Sequence, residues 1–111
     1  MHQPIRRTKP IVYRITMATP IGARHGKLRL QREEGQLCGT LELLSHIEPV
    51  SGWVDAQGQC TLRGQLVTLM QTIPYTATGH ITDTAVELSL RGDRHVFPIT
   101  GDVLAESEEQ P

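Results

Sequence analysis

A chain of 111 residues with 11 Lys and Arg against 12 Asp and Glu has a formal net charge of −1, which leaves no basic footprint for nucleic acid or an anionic membrane. Its length suits one domain with a single core. Four aromatic residues (Tyr13, Trp53, Tyr75 and Phe97) are too few and too scattered for base-stacking platforms.

Residues 1–9 read as a loose basic arm holding Arg6, Arg7 and Lys9. No apolar run follows these charges, because Ile11 to Met17 alternates with Arg14 and Thr16. That is not the pattern of a signal peptide, and no run reaches the length of a membrane-spanning helix. The cytoplasm is therefore the expected compartment. Residues 104–111, LAESEEQP, read as an acidic tail, and residues 10–103 as the folded domain.

Within that domain, short alternating segments follow one another with turn signals between them, the pattern of an all-β protein. Ile11, Tyr13, Ile15 and Met17 share a face of the first strand, and a loop with Pro20 and Gly22 follows. Leu28 and Leu30 mark the second strand. Beyond a Glu33–Glu34–Gly35 turn, Leu37, Gly39, Leu41 and Leu43 face inward on the third, with Leu30 opposite Gly39 and Lys27 opposite Glu42. The fourth strand, Val50 to Asp55, ends in Asp55-Ala56-Gln57-Gly58 and admits two registers. A three-residue loop with Gly58 left-handed turns Trp53 outward, whereas a two-residue loop turns it inward. Gly58 suits the first.

The stretch Gln59–Ile81 reads as a hairpin with its loop at Gln71–Thr72, which sets Met70 opposite Ile73, Thr68 opposite Tyr75 and Leu66 opposite Ala77. Register matters because a one-residue slip would turn a whole face to water. Asp83–Thr84 closes the next hairpin, with Ile81 opposite Val86. Gly92–Asp93 closes the last, with Leu90 opposite His95 and Leu88 opposite Phe97. Pro98 cannot donate to a ladder, so the eighth strand is expected to be partly paired near it.

Eight sequential antiparallel strands with one apolar face would leave two sticky edges if flat. Closing the meander into a small up-and-down barrel removes both. Gly39, Gly52, Gly64, Gly79 and Gly101 fall in the inward set, where a bending sheet tolerates them. A two-sheet sandwich is the alternative.

The eight-strand meander and its recurring apolar-x-Gly-x-apolar strands resemble the calycin group of lipocalins, fatty-acid-binding proteins and avidins, and most of all the compact lipocalin-like barrels of uncharacterised bacterial proteins. The resemblance covers residues 10–103 and implies a barrel with an internal cavity. It assigns no functional residue: the Gly-x-Trp signature of lipocalins is absent, Trp53 standing in Ser51-Gly52-Trp53 on the fourth strand. No inward basic residue corresponds to those that hold a carboxylate in fatty-acid-binding proteins.

Little in the chain points to catalysis. His2, His25, His46, His80 and His95 show no ligand spacing, and Cys38 and Cys60 form no C-x-x-C pair. Alternation puts the two cysteines on opposite faces, so they are expected to stay unpaired. Ser45, His46 and Glu48 are catalytic residue types, but adjacency in sequence is not a triad; they read as a turn before Pro49. No inward carboxylate is found, and no cofactor or metal is expected. The polar exceptions inside are Tyr13, Thr68, Tyr75 and His95. They are the candidate contacts for a small apolar or amphipathic ligand held within a non-catalytic barrel. The alternative is a filled barrel acting as an interaction module. Leu44, Ile47, Val67 and Leu69, with Trp53 beside them, would then form an outward patch covered by a second copy in a homodimer, unless the N-terminal arm covers it.

Overall fold

Ile11, Tyr13, Ile15 and Met17 do share one face, and the same alternation carries through eight strands and no helix among the described residues. The computed structural model describes residues 10–104; the basic arm expected over 1–9 and the acidic tail beyond Leu104 lie outside the described residues. The strands are β1 (Ile11–Thr19), β2 (Gly22–Glu33), β3 (Gln36–Leu43), β4 (His46–Val54), β5 (Gln59–Val67), β6 (Thr72–Ile81), β7 (Ala85–Arg91) and β8 (Val96–Val103). Each pairs antiparallel with its neighbour in sequence, and β8 pairs with β1 to close an up-and-down barrel. Continuous ladders around the wall exclude the two-sheet sandwich. At this coarse level the architecture is consistent with a calycin-like barrel.

Several expected registers are those observed. Leu30 lies opposite Gly39 and Lys27 opposite Glu42. Val54 lies opposite Cys60 and Trp53 opposite Thr61, with Gly58 at φ 90°, so Trp53 faces outward and packs under the Arg63 guanidinium at 5.7 Å. Ile81 lies opposite Val86. Pro98 sits where β8 parts from β1, whose shared ladder runs only from Ile99↔Met17 onward.

Two hairpins differ from expectation. The β5–β6 loop is Leu69–Met70 rather than Gln71–Thr72, so Leu66 faces Ile73, Gly64 faces Tyr75 and Leu62 faces Ala77. The cause is Thr68. Its N–H donates to the Gln71 carbonyl at 2.9 Å, and its Oγ1 accepts the N–H groups of Met70 and Gln71 at 3.2 and 3.0 Å. The hydroxyl thus takes the Gln71 N–H that would otherwise seek a backbone carbonyl, and pins the turn two positions earlier. In the β7–β8 hairpin the Gly92 N–H donates to the His95 carbonyl, and Leu90 faces Phe97 instead of His95. Both registers shift by an even number, so the inward residues within the paired strands keep their face and the core survives; only Thr68, Met70 and His95, which fall in the turns, leave the inward set. The expected loop with Pro20 and Gly22 is a tight turn at Pro20–Ile21, and β2 begins at Gly22, well before the Leu28 and Leu30 that marked it in the sequence.

The core is built from the inward series, with Tyr13, Ile15, Leu28, Leu62, Leu90 and Ile99 the most deeply buried large side chains. Burying each is worth about 1.5–3 kcal/mol.

The two ends of the barrel differ. At the end holding both described chain termini, one hairpin is tied to the next: Val54 N–H donates to the Gly35 carbonyl, Ile81 N–H to Gly58, Val103 N–H to Thr84 and Leu104 N–H to Val12. At the other end the ladders between hairpins stop early, at Val50↔Gly64, Thr76↔Arg91 and Met17↔Ile99. The β1–β2, β3–β4, β5–β6 and β7–β8 hairpins therefore stand out there as four two-stranded fingers.

Candidate functional site

The barrel axis is occupied. Ile15, Leu28, Leu41, Leu62, Tyr75 and their neighbours enclose a residual void of only about 10 Å³, and a void needs at least about that much to admit a single water. The inward glycines do not leave a channel. A Cβ on Gly64 would come within 2.6 Å of the Tyr75 hydroxyl, so the space beside that glycine holds the tyrosine. At Gly39, Gly52 and Gly79 it would meet the backbone of the adjacent strand.

The four sequence-derived ligand contacts are not brought together. Tyr13 lies at the closed end, where its hydroxyl donates to the Thr82 carbonyl at 2.5 Å, and burial, with Asp83 second, pushes its pKa up to about 12. Tyr75 is buried nearer the open end. Burial and then the Glu48 carboxylate raise its pKa, and among the described residues its hydroxyl has no hydrogen-bond partner. Thr68 lies in the β5–β6 turn, outside the interior, its hydroxyl spent on that turn. His95 is exposed in the β7–β8 loop, stacked on Phe97 with centroids 5.7 Å apart and planes 4° from parallel.

The Tyr75 hydroxyl carries a prediction. A buried hydroxyl without a partner costs about 1–3 kcal/mol, so Tyr75→Phe should leave stability unchanged or raise it by about 1 kcal/mol or more. Tyr13→Phe, losing a formed bond, should lower it by about 1 kcal/mol. Urea denaturation reads both. A Tyr75→Phe variant less stable by over about 1 kcal/mol would mean that the hydroxyl is bonded.

The groove that does exist is at the open end, between the β5–β6 and β7–β8 fingers. It measures about 670 Å³ and is lined by Leu66, Ile73, Pro74, Leu90 and Phe97, with Asp93, Arg94 and His95 along one lip. Pro74 sits where β6 has left β7 and offers no N–H to a passing strand, which blunts that edge. The sequence reading missed this groove because it set Met70 inward; Met70 is in fact exposed at the fingertip.

Two charged residues on inward series at this end were also missed. Glu48, on β4 two residues before buried Val50, and Arg24, on β2 two before inward Gly26, are both half-exposed. Both lie in segments that read as turn or loop from sequence.

The expected outward patch is partly gathered. Leu44 (at φ 56°), Ile47, Val67 and Leu69 all lie at the open end, with Leu44 packed against the core. Trp53 is at the other end of β4, apart from them. The exposed large apolar residues that accompany Ile47 and Leu69 are Ile21, Met70 and Val96. A second concavity, about 440 Å³ and open to solvent, crosses the outer wall past Arg14, His80, Glu87 and Asp102. His80 is engaged there by the Gln57 carbonyl at 2.8 Å. Among the described residues no group of three or more His, Cys, Asp or Glu is placed to hold a metal ion. Cys38 is exposed and Cys60 buried, both free; burial, then Asp55, pushes the Cys60 thiol up to about 11.

Compared with family models, with curated proteins and with solved structures, the chain matches none.

Proposed function

We propose that this protein is a non-catalytic interaction module, a filled barrel that acts as a rigid scaffold for its open end, and that two copies assemble through the apolar residues gathered there. The observation that carries this reading is a contrast. The axis has room for about 10 Å³, while Ile21, Ile47, Leu69, Met70 and Val96 stand exposed at one end. Covering each such side chain is worth about 1.5–3 kcal/mol, and a symmetric contact covers them twice, against an association cost of about 4–15 kcal/mol. A reducing, cytoplasmic setting belongs to the proposal, supported by the exposed free thiol of Cys38. The lipocalin-like resemblance contributes architecture to it and no binding residue. Light scattering at micromolar concentration tests the assembly: twice the 12.3 kDa chain mass is expected, and a monomer mass would sink it.

The 670 Å³ groove supports a second reading, in which a small apolar or amphipathic molecule binds at the mouth rather than on the axis. Fluorescence of anilinonaphthalene sulfonate that rises with the protein and is lost in Phe97→Asp would favour it.

A further inference from the structure

The β5–β6 finger is the part of the surface least suited to water. From Gly64 to Gly79 it contains no Asp, Glu, Lys, Arg or His, in a chain that is 21% charged. It has left β4 beyond Gly64 and β7 before Thr76, so it projects free of the wall on both sides. At its tip Leu69 and Met70 are 101% and 89% exposed. Directly beside it runs the 670 Å³ groove, with Leu66, Ile73, Leu90 and Phe97 in its lining. One molecule thus presents an apolar knob and, adjacent to it, an apolar slot.

Resting on the assembly reading above, we infer that the slot is filled by the Leu69–Met70 tip of a second copy of this chain, the two copies exchanging tips about a two-fold axis. A knob and a slot on one patch can be satisfied mutually by two copies; were they far apart, the contact would propagate into a filament. The lip charges fit the same symmetry. Asp93 and Arg94 are adjacent on one lip, so a two-fold axis can bring each against the other's counterpart. Charge around the open end is close to balanced, with Arg24, Lys27, Arg91 and Arg94 against Glu42, Glu48 and Asp93. Two such ends do not repel. Nor, with three acids among those four bases, do they supply the uncompensated basic cluster that draws an anionic membrane. The N-terminal arm is a poor rival occupant: the described chain begins at the opposite end, and residues 1–9 include only Met1 and Ile5 as large apolar side chains.

The test is the solution mass of the full chain and four variants, with circular dichroism confirming the fold of each. The unmutated protein is expected to be dimeric and Leu69→Asp/Met70→Asp a folded monomer. Trp53→Glu, at the far end of β4, should remain a dimer. Arg94→Asp puts two acids on each lip and should raise the dissociation constant at least tenfold; the exchange Asp93→Arg/Arg94→Asp should restore it. These positions are exposed, so loss of fold is not the expected confounder. A dimer that survives the tip substitutions overturns the exchange and leaves the assembly reading standing. A monomeric unmutated protein overturns both, and its sedimentation with phosphatidylcholine–phosphatidylglycerol vesicles would assign the fingertips to a lipid surface instead.

Discussion

Gly52→Ala should cost this barrel about 3 kcal/mol or more, at the upper end of what overpacking does and a large share of the 5–15 kcal/mol typical of a domain. Gly52 lies between Leu37 of β3 and Leu62 of β5. A methyl group there would run into the Thr61 carbonyl oxygen and come within 2.8 Å of its carbon and 2.9 Å of the Leu62 Cα. Those atoms belong to the neighbouring strand's backbone, so relief requires prying β4 from β5, where the ladder holds only five residue pairs. Gly92 is the control. Its added Cβ would meet the Ile73 Cγ2 at 3.2 Å, a side-chain methyl free to give, so Gly92→Ala should stay within about 1 kcal/mol of the unmutated protein. Urea midpoints at constant m separate the two. Equal, small losses would mean that the sheet does not coil tightly at Gly52.

That tight coil is legible in the sequence, because a strand-centre glycine is otherwise a liability. The repeated apolar-x-Gly-x-apolar unit made sense only in a sheet that bends on itself. Inward and outward faces were equally legible, since both missed registers shifted by an even number and left Ile73, Tyr75, Ile99 and Leu88 on their proper side. What escaped was where two hairpins turn. For the β5–β6 turn the signal was present in the threonines. Thr82 donates its N–H to the Ala85 carbonyl and accepts the Thr84 and Ala85 N–H groups on Oγ1, the pattern Thr68 repeats with Gln71. Placing a two-residue loop directly after the threonine gives Asp83–Thr84 in one case and Leu69–Met70 in the other.

The candidate site was hidden by that one displacement. With the turn at Gln71–Thr72, Met70 counts as core, Thr68 as an interior polar group, and the finger has no apolar tip. Glu48 and Arg24 were obscured similarly, because Pro49 and Gly22 read as breakers, whereas β4 runs through Pro49 and β2 starts at Gly22 itself. Pro49 is tolerated because the β4–β5 ladder ends at Val50, leaving no bond for it to break on that side. Whether the barrel binds inside or at its end therefore depends on local turn chemistry, which face alternation does not encode.

The filled axis has its own test. Leu62→Ala should destabilise the protein by about 2–5 kcal/mol. Leu62 is 2% exposed, faces Ala77 across β5–β6, and borders the 10 Å³ void. Removing its branched end loses the transfer free energy of the deleted carbons and enlarges a void that the closed wall cannot easily collapse. The loss should appear as a lower urea midpoint with the slope unchanged. Leu69→Ala, the same chemical change at the exposed fingertip, should alter the stability of the monomer by less than about 0.5 kcal/mol. The comparison removes side-chain chemistry and leaves packing as the variable. A loss below about 1 kcal/mol at Leu62 would mean an axis too loosely packed to pay the usual cavity cost, and would move the proposed ligand from the mouth back into the barrel.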